Sequence, residues 1–204
     1  MRVARPSTRI LSRERIARAA LRLVAQHGEF TIPELAAALG VHASSLYHHM
    51  PGGRRAIVHE MRVEVYAGID LSPLLDRSRP ALERLEGWMR ATRDATAAVP
   101  AVLPVIVGAP VEDARTLDIY EALFRILRDA RLPEALLVPC SALVDAVVLG
   151  SALDAASPVP LWRPDASAHP ELRSIAAADG PSRSDAGFEL AIAAVLAQVE
   201  LLAR

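Results

Sequence analysis

Apolar residues recur at three- and four-residue intervals near the amino end, which is the period of an α-helix. The residues that set this period are Ile16, Ala20, Leu23 and Val24. Ser12 precedes them and is placed to cap the helix, whereas Gly28 follows them and is placed to end it. The pattern therefore predicts a first helix between these two residues.

A second helix is predicted to begin directly after the first. Thr31 and Glu34 form the T-x-x-E pattern of a capping box, and Pro33 in the first turn costs no internal hydrogen bond. Leu35 and Leu39 are expected to face inward, and Gly40 to end the helix.

The segment from Val41 to Met50, VHASSLYHHM, shows no strand alternation. Leu46 is its strongly apolar interior residue and, with Val41 and Met50, is expected to anchor a short third helix to the first two. The other positions carry Ser, Tyr and His, whose side chains donate hydrogen bonds to phosphates or base edges. Because only tight turns separate the helices, we interpret the segment as the recognition helix of a helix-turn-helix.

The rest of the chain continues the helical pattern, so the fold class is predicted to be all-α. Further helices are predicted from Arg54 through Val65, from Pro80 to about Pro100, over 113–131 and 134–156, and over 185–204. The helix over 113–131 is expected to bury one side, formed by Leu117, Tyr120, Leu123, Phe124 and Leu127. Pro104 predicts a short buried helix or a kinked segment over 101–110, and a loop is predicted over 157–183.

Composition supports a water-soluble helical protein. Hydrophobic residues make up 52% of the 204 positions, mostly Ala, Leu and Val, which is ample for a core. No signal peptide is expected, and Pro139, Asp145 and Asp154 interrupt the apolar runs, so no membrane span is expected either. The single Cys140 rules out an internal disulfide and is expected to be a buried thiol. We expect a cytoplasmic protein.

Charge is divided unevenly along the chain, although the net formal charge is only −1. Residues 1–62 carry ten Arg against four acidic residues, a formal charge of +6, whereas residues 63–204 carry thirteen Arg against twenty acidic residues, or −7. A small basic head on an acidic body is typical of a protein that binds nucleic acid.

The order of these motifs is specific. A basic arm, a capped helix, F-T-x-x-E-L-A-x-x-L-G-V, S-S-L-Y-x-H and Pro-Gly-Gly-Arg-Arg-A-I follow one another over roughly residues 10–60. This order resembles the tetracycline-repressor-like (TetR) family of bacterial regulators. The resemblance implies an arm over residues 1–9, a DNA-binding domain over 10–57, and a helical domain for ligand binding and dimerisation over 58–204.

The same resemblance implies roles for individual residues. Phosphate contacts would come from Thr31, Tyr47 and His49, base contacts from Ala43, Ser44, Ser45 and His48, and the cation that opens the next helix from either Arg54 or Arg55. Pro33 departs from members that place a base-reading basic residue near this position, so part of the usual readout is missing.

In the body, the resemblance implies a homodimer and a small-molecule effector. Candidate dimer residues are Leu143, Val147, Phe188, Ile192, Val195 and Val199, although an apolar stripe on the last helix would also suit the core of a single subunit. Candidate effector residues are Trp88, Met89, Thr92, Leu103, Ile106, Tyr120, Phe124, Trp162 and His169. Few of these are polar, which favours a largely apolar effector. For Asp145, the sequence leaves both a buried contact and a surface position open.

The leading hypothesis is a ligand-responsive repressor that is released from a palindromic duplex operator by a small molecule and uses no cofactor. A helical ligand-binding or interaction protein without DNA binding is the alternative, and Pro33 is its best support. An all-helical enzyme is disfavoured, because no common catalytic motif is present. A metal site at His42, His48, His49 and His59 is also disfavoured, because no acid or cysteine completes the ligand set.

Overall fold

The computed structural model describes residues 11–165, 168–176, 180 and 182–204, and within these ranges the regular structure is helical throughout. The predicted basic arm over residues 1–9 lies outside the described residues. The helices are α1 (Arg13–His27), α2 (Ile32–Leu39), α3 (Ala43–His49), α4 (Gly53–Tyr66), α5 (Ser72–Leu75), α6 (Ala81–Ala97), α7 (Leu103–Val107), α8 (Ala114–Asp129), α9 (Glu134–Asp154), α10 (Pro170–Ala176) and α11 (Arg183–Leu202). The all-α prediction is confirmed.

The predicted caps of the first two helices are present. The Ser12 hydroxyl accepts a hydrogen bond from the backbone N–H of Arg15, and Gly28 ends α1 at a φ of 81°. In the capping box of α2, the Thr31 hydroxyl accepts from the Glu34 N–H, and the Glu34 carboxylate accepts from the Thr31 N–H. These local bonds explain why sequence alone located both helices.

Two segments differ from the prediction, because the short helices α5 and α10 form where a chain break and a loop were expected. A 3-10 turn over Pro100–Val102 leads into the short helix α7. Pro139 lies inside α9 without ending it.

By length and composition α9 is long and apolar enough to cross a membrane, with a mean hydropathy of 2.0. No such segment was expected from the sequence, because Pro139, Asp145 and Asp154 interrupt the apolar run. In this fold, 33% of this stretch is buried. The core helix of a water-soluble protein has the same composition.

The chain forms two compact units. The first runs to Ala67 and includes Ala101–Thr116; the second combines Gly68–Pro100 with Leu117–Arg204. The predicted boundary at residue 57 falls inside α4, whereas the first unit holds all of α4 and also α7.

In the first unit, α1 packs against α4 and α2, and α2 packs against α3. Its buried core includes Ile16, Val24, Phe30, Leu35, Leu46, Ile57 and Met61. Ion pairs from Arg13 to Glu60 and from Arg18 to Glu64 join the exposed sides of α1 and α4.

In the second unit, α6 packs against α9 and α11, and α11 packs against α9. Its buried core includes Leu85, Trp88, Met89, Leu123, Val144, Val148 and Ile192. The buried side of α8 is formed by Ile119, Ala122, Leu123, Ile126 and Leu127, so the prediction that Leu117 lies on that side is wrong, since Leu117 is exposed.

Candidate nucleic-acid interface

The third helix is held by one buried side chain and leaves its other faces open. Leu46 is 1% exposed, and Met50 after the helix is also buried. Tyr47 is 53% exposed, Ser44 and His48 are exposed, and Ala43, Ser45 and His49 are half-buried. A short helix that is anchored from one side and polar on the other has the form that enters a major groove.

Tyr47 is placed by the turn between α3 and α4. Gly53 adopts a φ of 57°, which is in the left-handed region that favours glycine. A Cβ at this position would lie 3.2 Å from Cε1 of Tyr47. Glycine therefore permits both the turn and the approach of the tyrosine ring to the start of α4.

Arg54 and Arg55, the two candidate phosphate cations, have different surroundings. The Arg54 guanidinium carbon lies 4.7 Å from the centre of the buried Phe30 ring, and among the described residues it has no carboxylate within ion-pair distance. Arg55 lies 3.9 Å from a carboxylate oxygen of Glu112. The stacked arginine is held in place without being neutralised.

The Thr31 side chain is exposed but already used by the cap of α2. Its hydroxyl donates a hydrogen bond of 2.7 Å to the Glu34 carboxylate. This hydroxyl and the Thr31 backbone N–H hold the pKa of Glu34 below its usual value. A phosphate at this point would have to share the hydroxyl with Glu34.

Among the residues that the structure describes, no three His, Cys, Asp or Glu side chains come together as a metal site. The His48 and His49 rings lie 5.6 Å apart in an edge-on arrangement.

The predicted dimer residues fall into two groups. Leu143 is exposed and Val147 is half-buried, but Phe188, Ile192, Val195 and Val199 are all buried inside the subunit. The prediction that these last four contact a second copy is corrected here: they close the core of their own subunit. The reason is that α11 is apolar around most of its circumference, so the stripe named from the sequence is the inner one.

Large apolar side chains also remain exposed on both α9 and α11. They are Val138, Leu143 and Leu153 on α9 and Leu190 and Leu201 on α11. Leu190 is 75% exposed and Leu201 is 62% exposed.

The predicted effector residues are divided between the two units. Leu103 and Ile106 are buried in the first unit, whereas Trp88, Met89 and Thr92 are buried in the second and Tyr120 and Phe124 are half-buried there. Trp162 is 38% exposed and His169 is also exposed. Of these residues, the structure brings together Trp88 on α6 and Tyr120 on α8.

Polar groups accompany these apolar side chains in the second unit. The Trp88 Nε1 donates a hydrogen bond of 2.8 Å to the Ile119 carbonyl, and the Trp88 and Tyr120 rings lie 6.1 Å apart. The Thr92 hydroxyl oxygen is buried and has no hydrogen-bond partner among the described residues. An unpaired buried hydroxyl is costly unless a ligand or water satisfies it.

The position of Asp145, which the sequence left open, is a half-buried contact. The Tyr120 hydroxyl donates a hydrogen bond of 3.0 Å to its carboxylate. Burial raises the pKa of Asp145, and the bond from Tyr120 only partly opposes this rise. Cys140 is a buried thiol, as expected, and burial raises its pKa as well.

Arg62 was not predicted to have a role, but the structure places it, buried, at the centre of a polar cluster in the first unit. The available signal was its register: Val58, Met61, Arg62 and Val65 follow the apolar spacing of α4. A charged residue on an inward stripe requires buried partners.

Comparison with known proteins gives one family match. A family model described as "Tetracyclin repressor-like, C-terminal domain" matches residues 81–200, which is more than half of the chain. No curated protein matches the sequence.

Solved structures match nearly the whole chain. A possible TetR family transcriptional regulator from Streptomyces coelicolor A3(2) has a TM-score of 0.78 at 20% identity, covering 94% of this chain and 100% of that chain. ActR from Streptomyces coelicolor in complex with actinorhodin has a TM-score of 0.74 at 20% identity, covering 95% and 99%. TetR from Acinetobacter baumannii AYE has a TM-score of 0.70 at 20% identity, covering 96% and 100%. At this identity the likeness shows the fold.

Proposed function

Since the chain belongs to the tetracycline repressor-like family of transcriptional regulators, we propose that it represses transcription by placing α3 in the major groove of a duplex operator. The observation that carries this proposal is the exposure of α3. Only Leu46 is fully buried, and the outward side chains are small or polar. A helix of this kind reads base edges while its neighbours grip the backbone.

The contacts on DNA are of two kinds. Ala43, Ser44, Ser45 and His48 lie towards base edges, and Tyr47, His49 and Thr31 bind phosphates. We assign the phosphate contact at the start of α4 to Arg54, because Arg55 faces Glu112 and Arg54 faces no carboxylate within the described residues. The open N-terminal turn of α4 adds a favourable field for a phosphate.

Two copies of the chain act together. We propose that a second copy covers the exposed apolar side chains of α9 and α11, in place of the four buried residues predicted from the sequence. A twofold dimer presents two recognition helices to half-sites about 34–36 Å apart, which makes the operator palindromic.

The effector site lies in the second unit. Trp88, Met89, Phe124 and Tyr120 supply apolar and aromatic contacts, and the unpaired Thr92 hydroxyl supplies a polar one. Structural neighbours have been solved with actinorhodin and with minocycline bound. We propose a largely apolar effector that carries at least one hydrogen-bonding group, and that weakens DNA binding by the same factor by which DNA weakens its own.

Selection from a random duplex pool tests the DNA-binding function. The expected result is a palindromic consensus, with an affinity that falls steeply as salt is added because phosphate contacts release counterions. Ser44→Ala and His48→Ala should change the selected bases, whereas Tyr47→Ala should weaken binding to every duplex. If no sequence is enriched and the affinity for duplex DNA does not depend on salt concentration, a ligand-binding protein without DNA binding would be favoured.

Sedimentation of a charged variant tests the dimer face. Leu190→Glu should convert the dimer to a monomer, because it buries a carboxylate at the proposed interface. Leu75→Glu, at an exposed apolar residue of α5, is the control and should remain dimeric. A Leu190→Glu protein that stays dimeric would show that another surface forms the interface.

A further inference from the structure

Arg62 is a buried cation with an unusually full set of acceptors. It is 3% exposed, yet its guanidinium donates to the carbonyls of Ile106, Ala109 and Pro110 and to the Asp113 carboxylate. The bonds to Ala109 and Pro110 measure 2.7 and 3.1 Å, and that to Asp113 measures 3.3 Å. Because charge burial is expensive, a complete acceptor set is needed to keep this side chain inside.

The four acceptors belong to α7, which packs against α4, and to the residues that follow α7. Ile106 lies in the last turn of α7, where helical carbonyls lack partners within the helix, and Ala109 and Pro110 follow the end of that helix. Asp113 has a second task, since its other carboxylate oxygen accepts a 2.8 Å hydrogen bond from the Thr116 N–H in the first turn of α8. One side chain of α4 therefore joins the end of α7 to the start of α8.

Arg62 is the innermost of three basic side chains on one face of α4. Arg55, His59 and Arg62 are spaced by four and three residues, which places them on the same side of a helix. Facing them, Glu112 lies 3.9 Å from Arg55 and 3.7 Å from His59, and Asp113 lies 3.3 Å from Arg62. The distance to the facing carboxylate therefore shortens along α4, from the exposed Arg55 to the buried Arg62.

The opposite end of α4 carries the proposed DNA contacts. Arg54 stands eight residues before Arg62, about 12 Å along the helix axis. Between them, Ile57, Val58 and Met61 are buried. Apolar packing is non-directional and tolerates small shifts, whereas four hydrogen bonds to one guanidinium define both the register and the rotation of the helix.

We propose that Arg62 is a positioning residue for DNA binding, which fixes the orientation of α4 through the segment Ile106–Asp113 and so holds Arg54 at the phosphates. Arg62 itself touches no DNA. This inference rests on the proposed function, and in the test below the failure of the inference and the failure of the proposed function give different results.

The second unit offers a matched control. Arg84 on α6 is 4% exposed, binds Asp129 at 2.9 Å, and also donates to the carbonyls of Leu74 and Arg79. It resembles Arg62 in burial and in bonding, but the proposed function gives its helix no part in DNA binding. Arg84→Gln and Arg62→Gln remove the same charge from similar surroundings.

The experiment measures binding of the full chain to two fluorescent duplexes of equal length by anisotropy. One duplex is selected by the unmodified protein, the other is a scrambled sequence, and far-UV circular dichroism fixes a temperature at which each variant is folded. Arg62→Gln should lower affinity for the selected duplex by at least about tenfold, the factor that corresponds to about 1.4 kcal/mol. Affinity for the scrambled duplex should change by less than about twofold, because Arg54 keeps its charge in this variant, unlike in Arg54→Ala, and non-specific binding does not require it to meet one particular phosphate.

Two further variants protect the test against misfolding. Asp113→Asn retains an acceptor for the Thr116 N–H but removes the charge opposite Arg62, and should give a smaller loss in the same direction. Arg62→Lys retains the charge but has three donors for four acceptors, and should fall between the unmodified protein and Arg62→Gln. If Arg62→Gln does not fold, the affinities of Asp113→Asn and Arg62→Lys for the two duplexes decide whether the inference holds.

Three outcomes would overturn the inference: unchanged affinity for the selected duplex in the Arg62 and Asp113 variants, an equal loss on both duplexes, or an equal loss in Arg84→Gln. The second would indicate a direct charge effect and the third a general effect of lower stability. If the unmodified protein selects no duplex at all, it is the proposed function that fails, before any variant is measured.

Discussion

Arg54 and Arg93 each lie over a phenylalanine ring, at 4.7 Å from the centre of Phe30 and 5.2 Å from the centre of Phe188, but their other partners differ. Arg93 also binds the Asp185 carboxylate at 2.6 Å. Arg54 has no carboxylate partner among the described residues. The same side chain on the same kind of ring is neutralised in the second unit and left charged in the first.

Neighbouring residues extend this difference. In the second unit, Arg90 binds both carboxylate oxygens of Glu189, and these bonds raise the pKa of Arg90. Arg183 binds Asp154. Arg90, Arg93 and Arg183 thus join helices of the second unit, whereas an arginine without an acid remains available to a polyanion outside the protein. A net charge near zero therefore does not argue against DNA binding when the opposite charges are paired elsewhere in the chain.

The largest expected effect concerns stability and the second unit alone. Trp88→Ala removes a fully buried ring and its hydrogen bond to the Ile119 carbonyl, and should cost about 3–5 kcal/mol, or roughly 10 °C in Tm for a chain of this length. Trp162→Ala, at the half-exposed tryptophan, should change stability by less than about 0.5 kcal/mol. Thermal unfolding by circular dichroism measures both, and equal losses would contradict the assigned burial.

The next effect tests the two stacked arginines directly. Arg54→Ala should weaken binding to all duplexes about tenfold near 0.1 M salt and lower the salt slope by about 0.9, because one phosphate contact is lost. Arg93→Ala removes the same charge and should leave both values nearly unchanged. Arg55→Ala should have a smaller effect than Arg54→Ala, and the double variant should lose more than either. If Arg93→Ala matches Arg54→Ala, only total charge matters and the contrast between the units is wrong.

A smaller effect is expected at the cap of α2. Thr31→Ala removes the capping box and should destabilise the chain by about 1 kcal/mol, whereas Thr31→Ser should be close to neutral. If Thr31 also binds a phosphate, Thr31→Ala will lower the salt slope as well, and Thr31→Ser will restore it. A change in Tm without any change in the slope would limit Thr31 to its structural role.

The smallest effect concerns Asp145 in the second unit. Its pKa is raised in the folded state, so its contribution favours folding below the pKa of the unfolded chain and is lost as pH rises through the folded value. Asp145→Asn should therefore stabilise the protein at neutral pH, by less than about 1 kcal/mol because the carboxylate is half-exposed. The gain should disappear as pH falls towards 4, near the ordinary pKa of an aspartate. Urea unfolding at several pH values checks this, and a gain that persists at low pH would exclude burial of the charge as its cause.

The sequence determined the parts of the molecule that depend on neighbouring residues. Ser12, Thr31, Glu34, Gly28 and Gly40 bind or bend the backbone within a few positions, so α1 and α2 followed from local chemistry. The exposure of α3 was also predictable, because Leu46 is the only strongly apolar residue in its interior.

Only the tertiary structure decided which faces of the apolar helices are covered. A helix that is apolar around most of its circumference, as α11 is, carries no local signal that separates the side facing its own subunit from the side left open. Phe188 and Leu190 differ in burial because of α6 and α9, which lie far away in sequence. The same holds for Arg62, whose role depends on carbonyl groups of residues more than forty positions later. The periodicity of one segment carries no information about long-range packing of this kind, because such packing depends on which distant segments of the chain lie beside it in the fold.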